Sequence, residues 1–146
     1  MFKETYGSEE TYRLGEEMGR KAEPGDVYAL TGDLGTGKTV FAQGFAKGLG
    51  ISGYVNSPTF TILQVYEEGR LPLYHFDVYR IEEPEEMEEI GYEDYFYGDG
   101  VALIEWAEII EELLPEKAYR ISVSKDSDKG DDYRKIEVLP GKYNQI

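Results

Sequence analysis

The chain has no cysteine, a single histidine and a single tryptophan in 146 residues. The first absence excludes structural disulfides, thiolate zinc sites and cysteine nucleophiles, and the second argues against a histidine-built metal centre. The chemistry must come from carboxylates, lysine, hydroxyl groups and the backbone. No apolar run approaches the roughly 20 residues that a membrane-spanning helix needs. The opening MFKETYGSEE also puts charges where a secretory signal requires an apolar stretch, so a cytoplasmic protein is expected. Positive charge is scarce: 15 basic residues face 30 acidic ones, for a formal net charge of −15. Such a field repels phosphate polymers and gives no basis for nonspecific nucleic-acid binding, so any anionic ligand has to be captured locally. The surplus acid is read first as a solvated surface and second as a match for a basic protein partner.

What is present suffices for one core. Hydrophobic residues make up 40% of the chain and thirteen tyrosines enlarge the aromatic share, so a single domain over residues 1–146 is expected to fold without staples. There is no internal repeat, and the one compositional anomaly is the acidic run Glu82–Glu89. A strand is expected around Phe2–Tyr6, followed by a helix capped by Ser8, with Glu9 and Glu10 in its first turn. Thr11, Gly15, Met18, Gly19 and Ala22 share one face of that helix. The face is mostly small, which suits close approach of another backbone or of a flat ligand. Pro24-Gly25 ends it, Val27–Thr31 reads as a buried strand, and Thr39–Leu49 as a helix stopped by Gly50. Thr59–Tyr66 and Leu71–Val78 read as an antiparallel hairpin. A short acidic helix over Glu85–Ile90, a buried strand Val101–Glu105, a helical segment near Ala107–Leu114 and strands around Ala118–Ser124 and Tyr133–Leu139 complete the chain, with a turn between the last two. The expected fold is a three-layer α/β domain with a mixed sheet that includes an antiparallel hairpin.

Gly32 to Thr39 reads GDLGTGKT, which fits G-x-x-x-x-G-K-[ST] and lies between an expected strand and an expected helix. Glycines let such a loop turn its amides inward, and with the helix N-terminus they form a concave anion site. Lys38 can then reach the β and γ phosphates of ATP, and Thr39 can offer its hydroxyl to the Mg2+ that bridges them.

That site needs a carboxylate from a neighbouring buried strand. Glu105 follows four apolar residues in VALIE, the pattern of a strand that delivers an acid at its carboxyl end; the alternative is an ordinary exposed strand end. Asp77 lies in YHFDVYRI, where alternation puts His75, Asp77 and Tyr79 on one face. It is a candidate for orienting the attacking water or holding a magnesium-bound one; the alternative is a structural pair with His75, Arg80 or a backbone amide. His75 reads as a hydrogen-bonded structural residue rather than a ligand. The hydroxyls of Ser57, Thr59 and Thr61 in NSPTFTI are candidates for sensing the γ-phosphate, or strand-favouring residues after a turn. Trp106 packs either beside the nucleotide or in the core.

With GDLGTGKT, SPTFT, HFDVYR followed by PEEMEEIGYEDYF, and IEW together, the chain resembles the bacterial TsaE (YjeE) family over essentially its full length. The resemblance implies a compact P-loop ATPase that works with TsaB, TsaC and TsaD in making threonylcarbamoyladenosine beside the tRNA anticodon. It implies ATP hydrolysis expressed on binding the TsaB–TsaD pair, with tRNA met only through that complex. Residue by residue, it implies nucleotide contacts from Asp33, Leu34, Gly35, Thr36, Gly37, Lys38 and Thr39, magnesium at Thr39 and Glu105, and a required carboxylate at Asp77. It also suggests adenine-side contacts around Ser8 to Thr11. One departure is the segment KGDDYR, where family members often carry basic residues; Arg134 keeps a plausible position, whereas Asp131 and Asp132 do not look like phosphate contacts. Two other functions use the same loop: a small-molecule kinase, against which the arginines Arg70, Arg80, Arg120 and Arg134 are scattered rather than gathered in a lid, and a nucleotide-gated binding module with negligible hydrolysis.

Overall fold

The computed structural model describes residues 2–32, 37–52 and 62–141. One seven-stranded sheet runs through them in the order β1-β7-β6-β2-β5-β4-β3. The strands are β1 (Phe2–Thr5), β2 (Val27–Thr31), β3 (Leu63–Tyr66), β4 (Leu73–Asp77), β5 (Val101–Glu105), β6 (Tyr119–Ser124) and β7 (Arg134–Leu139). The four central strands β6, β2, β5 and β4 are parallel, while β7 and β3 join antiparallel on either side. Parallel strands must be covered on both faces, and the burial pattern shows why these are central: every residue of β5, Glu105 included, is buried.

One face packs against α1 (Ser8–Lys21) and α2 (Lys38–Gly48), through Leu14, Phe41, Phe45 and Leu49 onto Tyr28, Leu30, Leu103 and Ile121. The other packs against α3 (Glu85–Glu89), α4 (Tyr92–Phe96) and the 3-10 segment Ala107–Leu113, through Met87, Phe96 and Ile110 onto Ala29, Phe76 and Ile104. Fully burying a side chain such as Phe41 or Phe45 contributes about 1.5–3 kcal/mol. The three layers and the hairpin β3–β4 match the fold read from the sequence.

The small face of α1 meets a backbone. A Cβ added at Gly15 would lie 2.3 Å from the Phe41 carbonyl oxygen, and one at Gly19 2.1 Å from that of Phe45. The contact is reciprocal, since a Cβ at Gly44 would lie 2.0 Å from the Tyr12 carbonyl oxygen and one at Gly48 2.1 Å from that of Glu16. These contacts advance together along both helices, so α1 and α2 run in the same direction. Their N-termini therefore lie at one end of the sheet, the end at which β2, β4 and β5 finish.

Two local expectations need correction. Ser8 is the first residue of α1, not its cap: Gly7 holds the cap position and no side chain caps the helix. The helical segment expected after β5 is present as a 3-10 helix over Ala107–Leu113 with a kink at Ile110, entered from Trp106 at φ 62° and left by an extended Leu114. Tyr79 does not continue the face of His75 and Asp77, because β4 ends at Asp77 and the chain turns. The helix α4 was not anticipated, and residues 59–61 of the first hairpin strand lie outside the described residues.

The glycine contacts give a test against helix propensity. Gly44→Ala in a helix interior ordinarily adds about 1 kcal/mol of stability. Here overpacking against the Tyr12 carbonyl reverses the sign, with an expected net loss of about 2–3 kcal/mol, measured as a lowered urea midpoint at unchanged slope.

Candidate functional site

Alternation along parallel strands selects the side chains at the carboxyl edge of the sheet. In β5, Val101 and Leu103 face α1 and α2, so Glu105, two residues on, faces the same side. Parallel pairing sets His75 beside Leu103 and Asp77 beside Glu105, and on the other flank sets Leu30 of β2 beside Glu105. His75, Asp77 and Glu105 thus share the face from which α2 rises. Helix α2 begins with Lys38 and Thr39 directly after Gly37, which sits at φ 99°. Glycine takes that left-handed conformation without strain.

Lys38 is 6% exposed, and contacts of its ammonium include a carbonyl and an aromatic ring among the described residues. It donates to the Gly32 carbonyl oxygen at 2.5 Å and sits over the Trp106 ring, 3.3 Å from the centroid. Gly32, at φ 143°, and Trp106, at φ 62°, both take left-handed backbone conformations. Trp106 is the only non-glycine residue with positive φ among the described residues, a conformation uncommon enough to mark a functional segment. Its ring also lies 4.8 Å from that of the exposed Tyr79. The sole tryptophan is therefore beside Lys38 at the edge of the site and, half-buried, also packs against the core on the α3 and α4 side.

Glu105 is 2% exposed, so it is no ordinary strand end. Its Oε2 lies 2.6 Å from Nε2 of the buried His75. The other ring nitrogen, Nδ1, is buried with no hydrogen-bond partner among the described residues. Asp77 is half-buried and accepts a hydrogen bond from the Tyr79 amide at 3.1 Å, so its partner is backbone and not His75. Burial pushes its pKa up; the Tyr79 amide opposes this, Glu105 adds to it, and His75 and Lys38 oppose it. Asp77, Glu105 and Lys38 thus act on one another electrostatically.

Thr39, in the first turn of α2, is exposed. Gly37 cannot cap that turn with a side chain, and no acid occupies it, so the helix N-terminus presents its amides and positive dipole end to an anion. Beyond Gly37 stands Arg134, whose Nε would be 4.0 Å from a Cβ placed there. Its Nη1 donates to the carbonyl oxygens of Asp131 and Tyr133. The structure thus sets Arg134 beside Gly37 while Asp131 and Asp132 are exposed. Ser8, exposed, and Thr11, buried, open α1 at this same end. The Thr11 hydroxyl lies 2.8 Å from that of Thr5 and is committed inside the protein. Asp33, Leu34, Gly35 and Thr36, and with them Ser57, Thr59 and Thr61, lie outside the described residues.

The donors fit a magnesium ion that arrives with its substrate. Among the described residues no three His, Asp or Glu side chains converge closely enough to hold a metal themselves. Mg2+ at nucleotide sites uses one or two protein oxygens and completes its shell with phosphate and water, which Thr39 and Glu105 match in number and kind. Sequence reasoning passed over His75 as a partner of Glu105. The signal was its place two residues before Asp77, which becomes informative only once β4 is known to pair with β5.

Residues 5–136 match the family model for the threonylcarbamoyl adenosine biosynthesis protein TsaE. The chain is 52% identical over 132 residues to the tRNA threonylcarbamoyladenosine biosynthesis protein TsaE of Bacillus subtilis, covering 90% of this chain and 80% of that protein. To the protein of the same name from Treponema pallidum it is 47% identical over 116 residues, 80% of this chain and 85% of that one. The crystal structure of Bacillus subtilis YdiB superposes with a TM-score of 0.83 at 43% identity, covering 99% of this chain and 88% of that one. Among the described residues no helix is long and apolar enough to cross a membrane.

The raised pKa of Asp77 predicts a stability signature. A carboxyl held more easily when neutral detracts from stability once ionised, and this penalty fades as pH falls through its raised pKa and is gone below the ordinary value of 3.8. Asp77→Asn should therefore unfold at a higher temperature than the wild type near pH 7, with the gain shrinking towards pH 4. Thermal melts of both proteins across that range are the measurement.

Proposed function

The chain belongs to the TsaE family of tRNA threonylcarbamoyladenosine biosynthesis proteins, and on that premise we propose that it is a cytoplasmic, magnesium-dependent ATPase stimulated by the TsaB–TsaD complex. The observation that carries this reading is the meeting of Lys38, Asp77 and Glu105 at the start of α2, where one buried cation stands among two carboxylates. A single domain holds the whole device, and tRNA is met only through the partner complex. The net charge of −15 suits docking on another protein better than holding an RNA.

The residues divide the work. ATP enters with its phosphates against the loop Asp33, Leu34, Gly35, Thr36 and Gly37 and the first-turn amides of α2. Lys38 exchanges the Gly32 carbonyl and the Trp106 ring for phosphate oxygens, which are stronger partners for an ammonium than either. Thr39 and Glu105 would hold the magnesium ion, which supplies charge neutralisation on the β and γ oxygens when bound. Asp77, anchored by the Tyr79 amide, holds the attacking water in line and takes up its proton, a task that its raised pKa favours. Ser8 and Thr11 border the adenine side. Such catalysis is positioning and electrostatic stabilisation rather than covalent chemistry. Turnover then resets or releases the modifying complex between rounds of carbamoyl transfer.

Phosphate release from Mg-ATP by the purified protein, alone and with TsaB–TsaD, tests this. Release should be slow alone and stimulated by the complex. Lys38→Ala should remove it, and Asp77→Asn should lower it by about 100-fold or more with nucleotide binding retained. Bound ATP without release in the presence of the complex would instead identify a nucleotide-gated module, and phosphate transfer to a small acceptor a kinase.

A further inference from the structure

We infer that His75 is a positioning residue whose imidazole sets the direction of the Glu105 carboxylate; the inference rests on the proposed role of Glu105 towards magnesium. The two side chains come from adjacent parallel strands, are 1% and 3% exposed, and meet at 2.6 Å between Nε2 and Oε2. An ionised carboxylate only accepts, so Nε2 carries the proton and donates. Nδ1 has no hydrogen-bond partner among the described residues. The hydrogen bond that His75 makes among the described residues is thus the one to Glu105.

A carboxylate is planar, and anchoring one oxygen fixes where the other points. The bond is charge-assisted and shielded from water, which makes it a firm anchor. Two residues along the same strand, Asp77 stands opposite Glu105. β4 therefore carries both the carboxyl that faces the water and the ring that aims the metal-facing carboxylate. Removing an outer partner of this kind changes metal affinity by roughly 10–100-fold.

The test is calorimetric binding of a non-hydrolysable ATP analogue to the full chain, in EDTA and across a series of Mg2+ concentrations. His75→Gln keeps an amide N–H near the reach of Nε2, whereas His75→Asn draws the donor back. Gln should behave as wild type, and Asn should need about 10–100-fold more magnesium for the same affinity with binding in EDTA unchanged. An unchanged magnesium requirement in Asn, or equal loss in both variants with and without magnesium, would overturn the inference. Because His75 is the only histidine, nitrogen-15 spectra of the wild type give a readout that needs no variant. They should show an Nε2-protonated ring whose signals move when Mg2+ is added to the analogue-bound protein. An Nδ1-protonated ring, or one indifferent to Mg2+, would also overturn it. Glu105→Gln separates the layers: an unaltered magnesium requirement there removes the role of Glu105 and this inference with it. A raised requirement there beside an unaltered one in Asn removes only the role of His75.

Discussion

The parallel pairing of β2, β5 and β4 is the constraint from which the rest of the site follows. It ends three strands at one edge and places Leu30, Glu105 and Asp77 in adjacent register positions. The strand that leads into the phosphate loop and the two strands that end in carboxylates therefore finish together. Side chains alternate with a period of two, so a slip of one residue would turn His75 and Asp77 to the α3 and α4 side, away from Lys38. The glycine contacts between α1 and α2 guard the same geometry from above, because they fix where α2 begins relative to the sheet.

Electrostatics at that edge run against the character of the whole molecule. A chain with a net charge of −15 repels anions at long range, yet at short range a buried ammonium and a helix N-terminus attract them. Lys38 lies against a carbonyl and an aromatic face. A cation on such a face gains about 0.5–2 kcal/mol, which a charged phosphate readily exceeds. Trp106 thus holds the lysine in a buried place without competing strongly for it, and its strained backbone is the cost of turning the ring there.

The layers, the central strands and the hairpin were legible because their signals are local: a run of apolar residues in VALIE, a glycine-rich loop before a helical pattern, four residues between two strands. Lys38, Asp77 and Glu105 were legible as candidates for the same reason. What was not legible depends on pairing across the chain. Nothing in residues 71–78 says that β4 lies beside β5, so His75 read as a hydrogen-bonded structural residue with no link to Glu105. The small face of α1 allowed a ligand or a backbone, and only the packed helices show that the backbone of α2 fills it. Thr11 offers its hydroxyl on paper, but Thr5, supplied by a strand that pairs with β7, takes it up. The 3-10 character of Ala107–Leu113 follows from the left-handed Trp106, a conformation that residue type alone does not announce.

The central claim is that Lys38 leaves Trp106 for the phosphates of a nucleotide whose metal lies between Thr39 and Glu105. A crystal structure of the chain with Mg2+ and a non-hydrolysable ATP analogue addresses it most directly. The account predicts the Lys38 ammonium on the β and γ phosphate oxygens, the ion bound by the Thr39 hydroxyl with Glu105 directly or through water, and a water at Asp77 in line with the γ-phosphate. A nucleotide seated elsewhere, with Lys38 still on the Trp106 ring and no ion near Glu105, would contradict it.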